Sequence, residues 1–193
     1  VVPICCELSE PFSIRAAVQE VKTLKIELDA VIANAGIMAL PKPERKNGYE
    51  LQFFTNHVGH FYLVTELLDQ LAANGRVVMV SSAAHEMTYR EGVQFDNLSG
   101  ENGYSPWKAY GQSKLCNLLF ARHLATCLPL PGQTANAIHP GVIATSLMRN
   151  MNPFVTVAGR LVSPIFMKTI AQGASTQTYV ATHPSLSGVS GKY

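Results

Sequence analysis

Residues 28–36 read LDAVIANAG, and this run indicates the class of fold. After Asp29 it is apolar throughout, until Asn34-Ala35-Gly36 ends it. Continuous rather than alternating apolarity is typical of a strand that is covered on both faces, as in a parallel sheet. A run of the same kind, RVVMVS, follows at residues 76–81. A long segment of helical periodicity separates the two runs, and this alternation favours an α/β protein.

Strands and helices alternate along the whole sequence. Strands are predicted at residues 1–6, 28–33, 76–81 and 134–139. Helices are predicted at residues 11–25, 49–73 and 105–127, with two more within 154–182 that join near Ala171-Gln172-Gly173, and loops at residues 39–48 and 85–104. This order predicts a doubly wound parallel sheet of the Rossmann-like type, incomplete at both ends, in a single domain that spans residues 1–193.

The composition excludes several classes of protein. Charged residues make up only 15% of the chain and hydrophobic residues 47%, so the chain can bury enough apolar surface to fold. The net charge is +2 without a basic cluster, which argues against a nucleic-acid partner. No apolar stretch approaches the ~20 residues of a membrane span, and Val1 opens no signal peptide. The four cysteines lack Cys-x-x-Cys spacing, so we expect reduced thiols in a cytoplasmic protein.

Polar residues follow the predicted strands, at the edge where a doubly wound sheet binds its ligand. They are Asn34, Ala35 and Gly36 after residues 28–33, Ser81 and Ser82 after residues 76–81, and His139, Pro140 and Gly141 after residues 134–139. Predicted helices add Asn56, Tyr110 and Lys114.

Tyr110 and Lys114 lie four residues apart on a predicted helix, so both project from one face. A phenol with its ordinary pKa of about 10 is a poor acid or base at neutral pH, but a neighbouring ammonium lowers that pKa. The pair is therefore suited to exchange a proton with a substrate oxygen. Tyr104 and Lys108 have the same spacing, but Pro106 marks a helix start that leaves Tyr104 before the helix.

Several alternatives stay open at this point. His57 and His60 lie three residues apart on a helix, but no carboxylate or cysteine at metal-ligand spacing accompanies them, so we predict surface or core histidines and no metal site. Asn34 could merely cap a strand end, and Asn56 could be a packing amide. Ser81 rather than Ser82 could be the polar partner of the tyrosine.

Together these motifs resemble the short-chain dehydrogenase/reductase family over essentially the whole chain. The matching residues are Asn34-Ala35-Gly36, Asn56 in TNHVGHF, Ser82 in RVVMVSS, Tyr110 and Lys114 in YGQSK, and His139-Pro140-Gly141-Val142 with Thr145. The resemblance implies an oxidoreductase that transfers a hydride between NAD(H) or NADP(H) and an alcohol or carbonyl substrate.

The resemblance also implies a role for each matching residue. Tyr110 would be the general acid/base, Lys114 would lower its pKa and bind the nicotinamide ribose, and Ser82 would hold the substrate oxygen. Asn56 would anchor a water that links Lys114 to solvent. The other implied cofactor contacts are Asn34, Ala35 and Gly36 at the adenosine half, Pro140, Gly141, Val142 and Thr145 towards the nicotinamide, and Glu7 with Leu8 at the adenine.

The sequence departs from the family pattern in three respects. The family's glycine-rich phosphate loop, G-x-x-x-G-x-G, has no counterpart, so we expect residues 1–193 alone to bind a dinucleotide poorly and to show little activity. Glu7 stands where the family usually has Asp. Ser82 and Tyr110 are 28 positions apart, more than is usual. This long spacing, with Phe95-Asp96-Asn97-Leu98, resembles the retinol-dehydrogenase-like and protochlorophyllide-reductase-like branch, which favours NADP(H) and apolar alcohols or carbonyls.

Two rival hypotheses belong to other classes of function. The protein could be a catalytically inactive family member that serves as a binding or scaffold module, or a Rossmann-fold methyltransferase or nucleotide-sugar enzyme. Folding alone does not require Asn56, Ser82, Tyr110 and Lys114 together, which argues against the first. The Asn-Ala-Gly and Pro-Gly motifs favour the dehydrogenase over the second.

We expect residues 154–167 to line an apolar substrate pocket, with a membrane-surface helix as the alternative.

The sequence also predicts a partner subunit. The predicted helices at residues 49–73 and 105–127 have apolar residues on more than one face, which indicates a homodimer or homotetramer.

In the family, two further strands normally separate the counterparts of residues 1–6 and 28–33. We therefore expect residues 1–6 either to pair directly with residues 28–33 or to stay unpaired.

Overall fold

The computed structural model describes residues 1–143 and 168–193. Its helices are α1 (Pro11–Thr23), α2 (Leu51–Phe53), α3 (Gly59–Leu67), α4 (Pro106–Leu124) and α5 (Ile170–Thr182), with a π-helical segment, Phe54–Val58, between α2 and α3. Its strands are β1 (Leu28–Ala33), β2 (Arg45–Lys46), β3 (Tyr49–Glu50), β4 (Leu71–Val80) and β5 (Thr134–Ile138). Short 3-10 turns lie at Leu68–Gln70, Ala83–Met87, Phe95–Asn97 and Pro184–Leu186. None of the described helices is long and apolar enough to cross a membrane.

The described part of the main sheet has three parallel strands in the order β1-β4-β5. Val80 lies opposite Ile138 where β4 and β5 end, so the carboxyl ends of the strands meet at one edge. Successive side chains of β4 point to opposite faces. Val77 and Met79 pack in a cluster with α3 and α4, whereas Val78 and Val80 pack with α5. Helices therefore cover both faces, and the predicted doubly wound parallel sheet is confirmed.

The predicted strand at residues 1–6 is wrong. These residues pair with no described strand, and most of them are exposed. A strand needs a hydrogen-bonding neighbour, and Pro3 lacks a backbone donor. Because β1 lies at the edge of the described sheet, with Ile32 43% exposed, the expected outcome in which residues 1–6 stay unpaired is the one observed.

The predicted helix at residues 49–73 differs from the structure at both ends. At its start, Tyr49–Glu50 is strand β3 rather than helix, and it pairs with β2 in a hairpin that turns through Asn47-Gly48 in the predicted loop. At the other end, Leu71 begins β4. Leu71 is buried opposite Leu28, and the Gln133 amide donates to its carbonyl at 3.0 Å. Sheet pairing here outweighs the local helix propensity of Leu-Ala-Ala.

Helix α5 runs without a break through Ala171-Gln172-Gly173, so the predicted joint there is wrong. Thr169 and Gln172 form a capping box that begins the helix. Gly173 serves packing rather than a turn, because a Cβ at this position would collide with Ile143. The other helix predicted in this region falls mostly on residues 154–167, which lie outside the described residues.

Candidate active site

Helix α4 carries most of the candidate site. Tyr110, Lys114 and Asn117 follow one another at steps of four and three, which places them on one side of the helix, and all three are buried. Gly111 lets this part of α4 approach the Ala83–Met87 turn closely, because a Cβ there would collide with a backbone carbonyl of that turn. The close approach brings the tyrosine to the end of β4.

Ser82, and not Ser81, is the serine that the structure brings to Tyr110. Ser81 is buried and its hydroxyl donates to the Lys114 carbonyl at 2.7 Å, so it ties β4 to α4. Ser82 is half-buried, and its Oγ accepts from Ala84 N at 3.2 Å. Burial raises the pKa of the Tyr110 phenol, and the nearby Ser82 side chain lowers this pKa in part.

The Lys114 ammonium is buried where β4 ends. Its Nζ donates to the Val80 carbonyl at 3.0 Å and lies 5.6 Å from the centre of the Tyr110 ring. Burial lowers the pKa of this amine to about 8. The expected lowering of the Tyr110 pKa by Lys114 stays a prediction. Burial of the phenol itself raises its pKa in this structure.

Asn56 lies in the π-helical segment, a helix irregularity that is frequent at functional sites. Its buried amide accepts from Ile37 N at 2.8 Å and donates to Ile37 O and to Ser113 Oγ, each at 2.9 Å. Ser113 in turn donates to the Tyr110 carbonyl at 2.7 Å. Asn56 therefore clamps the loop after β1 to α4, as a packing amide would. Its implied contact with a water stays a prediction.

Asn34, Ala35 and Gly36 follow β1, and together they form a wall beside Lys114. A Cβ at Gly36 would lie 2.9 Å from Asn56 Oδ1 and 3.7 Å from Lys114 Nζ, so the backbone passes very close to both side chains. Asn34 and Ala35 are exposed, and Asn34 Oδ1 accepts from the Gln177 amide of α5 at 3.3 Å. The wall is therefore accessible to a ligand on the solvent side of the strand end.

Glu7 and Leu8, the two predicted adenine contacts, have different surroundings. Leu8 is only 6% exposed and packs with Ile14 and Val18, so it is a core residue rather than an exposed contact. Glu7 is exposed, and its carboxylate accepts from the Ser9 backbone N–H at 3.0 Å and the Ser9 hydroxyl at 2.9 Å. These bonds lower the pKa of the carboxyl. Of the two residues, only Glu7 presents a polar group, its carboxylate, to solvent.

The turn after β5 lies at the same edge of the sheet. Gly141 has φ +92°, a conformation that favours glycine. Lys168 holds the turn, since its Nζ donates to the Pro140 carbonyl at 3.2 Å and its N–H donates to the Val142 carbonyl at 2.8 Å. The Val142 side chain is exposed. The predicted contact Thr145 lies outside the described residues.

Sequence reasoning missed the roles of Ser113 and Asn117. The Asn117 amide donates to the Val80 carbonyl at 3.2 Å, and its Oδ1 lies 3.1 Å from His57 Nδ1. Its position seven residues after Tyr110, two helical turns along one face, was the signal that could have found it.

His60 Nδ1 lies 2.8 Å from the Asn56 carbonyl, so both histidines have protein partners. The described ranges hold no group of three residues suited to bind a metal ion.

Fold and site together define a Rossmann-like α/β domain with a buried tyrosine–lysine pair at the carboxyl ends of its strands. A family model described as "Enoyl-(Acyl carrier protein) reductase" matches residues 1–182. The chain belongs to the short-chain dehydrogenase/reductase family, as the motifs predicted.

Named relatives match almost the whole chain. It is 42% identical over 196 residues to the short-chain dehydrogenase TIC 32 B, chloroplastic, of Brassica napus, with 97% of this chain and 61% of the relative covered. It is 40% identical to the polyprenol dehydrogenase of Homo sapiens, with 97% and 58% covered. It is also 40% identical to human retinol dehydrogenase 14, with 97% and 56% covered. The chain thus spans about three fifths of the length of these relatives.

Solved structures share the fold at lower identity. The 3-alpha-hydroxysteroid dehydrogenase of Pseudomonas sp. B-0831, complexed with NADH, aligns with a TM-score of 0.75 at 21% identity, covering 97% of this chain and 78% of the other. A blue fluorescent protein from a metagenomic library, in complex with NADPH, aligns with a TM-score of 0.72 at 23% identity, covering 97% and 70%. These alignments support the assignment of the fold.

Proposed function

We propose that the protein is an NAD(P)-dependent oxidoreductase that transfers a hydride between the cofactor and an alcohol or carbonyl. The observation that carries this proposal is the Lys114 ammonium, which is buried beside Tyr110 and the Gly36 wall. No carboxylate pairs with it in residues 1–143 or 168–193. Burying a charge without a counter-ion is costly, so a reaction or a ligand must explain it better than folding does.

The residues present fit a nicotinamide nucleotide. A buried ammonium and a glycine wall without side chains suit the close approach of a hydroxyl-rich ribose. Lys114 would bind the ribose and Gly36 would border the cofactor. Glu7, Asn34, Ala35, Pro140, Gly141 and Val142 would supply the remaining contacts. When bound, the dinucleotide would supply the hydride chemistry.

The protein's own part in the reaction is proton transfer and positioning. Ser82 would donate a hydrogen bond to the substrate oxygen and stabilise the charge that develops there. Tyr110 would give the proton to that oxygen in reduction or take it in oxidation. A phenol whose pKa burial has raised holds its proton at neutral pH, so reduction starts from the correct protonation state.

We favour NADP(H) and an apolar substrate. The long separation between Ser82 and Tyr110 resembles the branch with that preference. Polyprenol and retinol dehydrogenases, named for apolar alcohols, are among the relatives.

We also propose a cytoplasmic location, supported by four free cysteines at residues 5, 6, 116 and 127.

We further propose a homodimer or homotetramer. Phe61 of α3 and Leu119 of α4 are each 46% exposed, and the Phe61 ring lies 5.0 Å from the buried Phe120 ring, so the apolar surface continues from the core to solvent. A surface of this kind is typical of a subunit interface. Light scattering after size exclusion should show more than one subunit at micromolar concentration, and a Phe61→Glu variant should shift towards monomer. A monomeric parent would contradict the proposal.

Residues 1–193 alone are expected to bind a dinucleotide poorly, so the test of the proposed function uses a longer form of the protein that also carries a glycine-rich phosphate loop. This form, the parent in all binding and activity assays below, is titrated with NADPH and with NADH by fluorescence. We expect saturable binding of at least one of them, and oxidation of that dinucleotide when an apolar aldehyde is added. Binding without turnover over a panel of aldehydes and ketones would favour the scaffold hypothesis. Absence of binding to both would refute the proposal.

A further inference from the structure

The loop at residues 37–40 is held by two side chains that lie four residues apart on the segment that carries Asn56. Asn56 binds both backbone groups of Ile37. One turn earlier, Gln52 Oε1 accepts from the Ala39 N–H at 2.7 Å. Asn56 therefore holds the beginning of the loop, and Gln52 holds its middle.

Ala39 needs such support. Its φ is +51°, in the left-handed region that residues with a Cβ rarely adopt. It is buried, so without Gln52 its N–H would have no water to bind. The Gln52 side chain thus compensates for a backbone conformation that the loop would otherwise tend to leave.

Gln52 also connects the loop to the beginning of α4. Its Nε2 lies 2.9 Å from the Tyr104 hydroxyl, 3.2 Å from Glu50 Oε1 and 3.3 Å from the Pro106 carbonyl. Tyr104 donates to the Leu40 carbonyl at 2.7 Å. The Gln52 side chain is fully buried, so each of these bonds is protected from water.

We propose that Gln52 is a positioning residue for the cofactor. It keeps residues 37–40 in the one arrangement in which Gly36 lies against Asn56 and Lys114, and it thereby sets the affinity for the dinucleotide without touching it. This role rests on the proposed function, because Gly36 borders a cofactor only if the protein is a dehydrogenase. Tyr104, which precedes α4 as the sequence predicted, is the second member of this support.

Hydrogen exchange of the protein without ligand tests the support directly. Gln52→Met keeps the length of the side chain and removes its hydrogen bonds, and amides of residues 37–40 should exchange about tenfold faster. Gln133→Met is the matched control, because Gln133 is also buried and binds the carbonyls of Leu71 and Ala72 at the start of β4. The control should leave the exchange of residues 37–40 unchanged. Unchanged exchange in Gln52→Met, or an equal increase in both variants, would overturn the proposal.

Tyr104→Phe gives a second test that does not depend on the folding of Gln52→Met. It removes one hydroxyl from a half-buried side chain and should speed exchange in the same loop about threefold. No change in this loop would overturn the proposal even if Gln52→Met does not fold.

Titration with NADPH, in the longer form of the protein that carries the phosphate loop, separates the positioning role from a merely structural one. We expect the dissociation constant to rise about tenfold in Gln52→Met and to stay within about twofold in Gln133→Met. If the parent binds NADPH and Gln52→Met binds it with equal affinity, the positioning role is overturned. A parent that binds neither NADPH nor NADH would refute the proposed function and with it the cofactor role, while exchange would still decide whether Gln52 supports the loop.

Discussion

Replacement of Lys114 by Met should stabilise the protein while it destroys the candidate site. Burial lowers the pKa of the amine from 10.5 to about 8, which corresponds to about 3 kcal/mol of destabilisation at pH 7. Met removes the charge, keeps an apolar side chain of similar length, and loses one hydrogen bond worth about 1 kcal/mol. The Val80 carbonyl retains its bond from Asn117 at 3.2 Å. We therefore expect the free energy of unfolding at pH 7 to rise by about 2 kcal/mol.

The pH dependence identifies the cause of this gain. Because the pKa of Lys114 is lower in the folded state, the unfolded state binds more protons between pH 8 and 10.5, and the parent becomes more stable as the pH rises through this interval. The gain in Lys114→Met should be nearly full at pH 7, should fall to zero near about pH 10, and should become a loss of less than about 1 kcal/mol at pH 10.5, where the missing hydrogen bond outweighs the remaining charge penalty. Urea unfolding at pH 7, 9 and 10.5 measures it. Lys108→Met, an exposed lysine on the same helix, is the control and should change stability by less than about 0.5 kcal/mol. A Lys114→Met protein that is less stable at pH 7, or whose offset is the same at all three pH values, would refute the reasoning.

Three further substitutions test other parts of the account. Asn56→Ala leaves two part-buried backbone groups of Ile37 without their side-chain partner and should lower the free energy of unfolding by about 2 kcal/mol. An unchanged urea midpoint would contradict the clamp. Gly36→Ala places a methyl group 2.9 Å from Asn56 Oδ1 and should weaken NADPH binding about tenfold. Equal affinities of the parent and this variant would count against the wall. Burial lowers the pKa of His60 to about 4, so stability should fall by about 3 kcal/mol as the pH drops from 6.5 to 4, and His60→Gln should flatten this loss in acid unfolding.

Local patterns predicted what local geometry determines. The four-residue spacing of Tyr110 and Lys114 placed both on one face of α4 because helix periodicity depends only on the helix itself. The continuous apolarity of residues 28–33 predicted a strand that the structure contains. The order of motifs along the chain led to the correct family.

Long-range pairing determined the rest and could not be predicted from single segments. Ser81 and Ser82 are adjacent and chemically identical, and only the packing of β4 against α4 decides which one reaches the phenol. Residues 1–6 have the composition of a strand, but no strand in the described part of the chain pairs with them. The Gln52–Ala39 bond joins residues 13 positions apart through a backbone conformation that sequence periodicity does not report.

Tyr110 is proposed to exchange the proton with the substrate. The rate of NADPH oxidation in the parent and in Tyr110→Phe tests this role. Both proteins are made in the longer form that carries the phosphate loop and are assayed with the same apolar aldehyde, and the affinity for NADPH is measured by fluorescence in parallel. Tyr179→Phe, an exposed tyrosine on α5, serves as the control and should retain the parental rate. The account predicts that Tyr110→Phe lowers turnover about 10²–10⁴-fold while the dissociation constant for NADPH stays within about twofold. Turnover within a few-fold of the parent would contradict it.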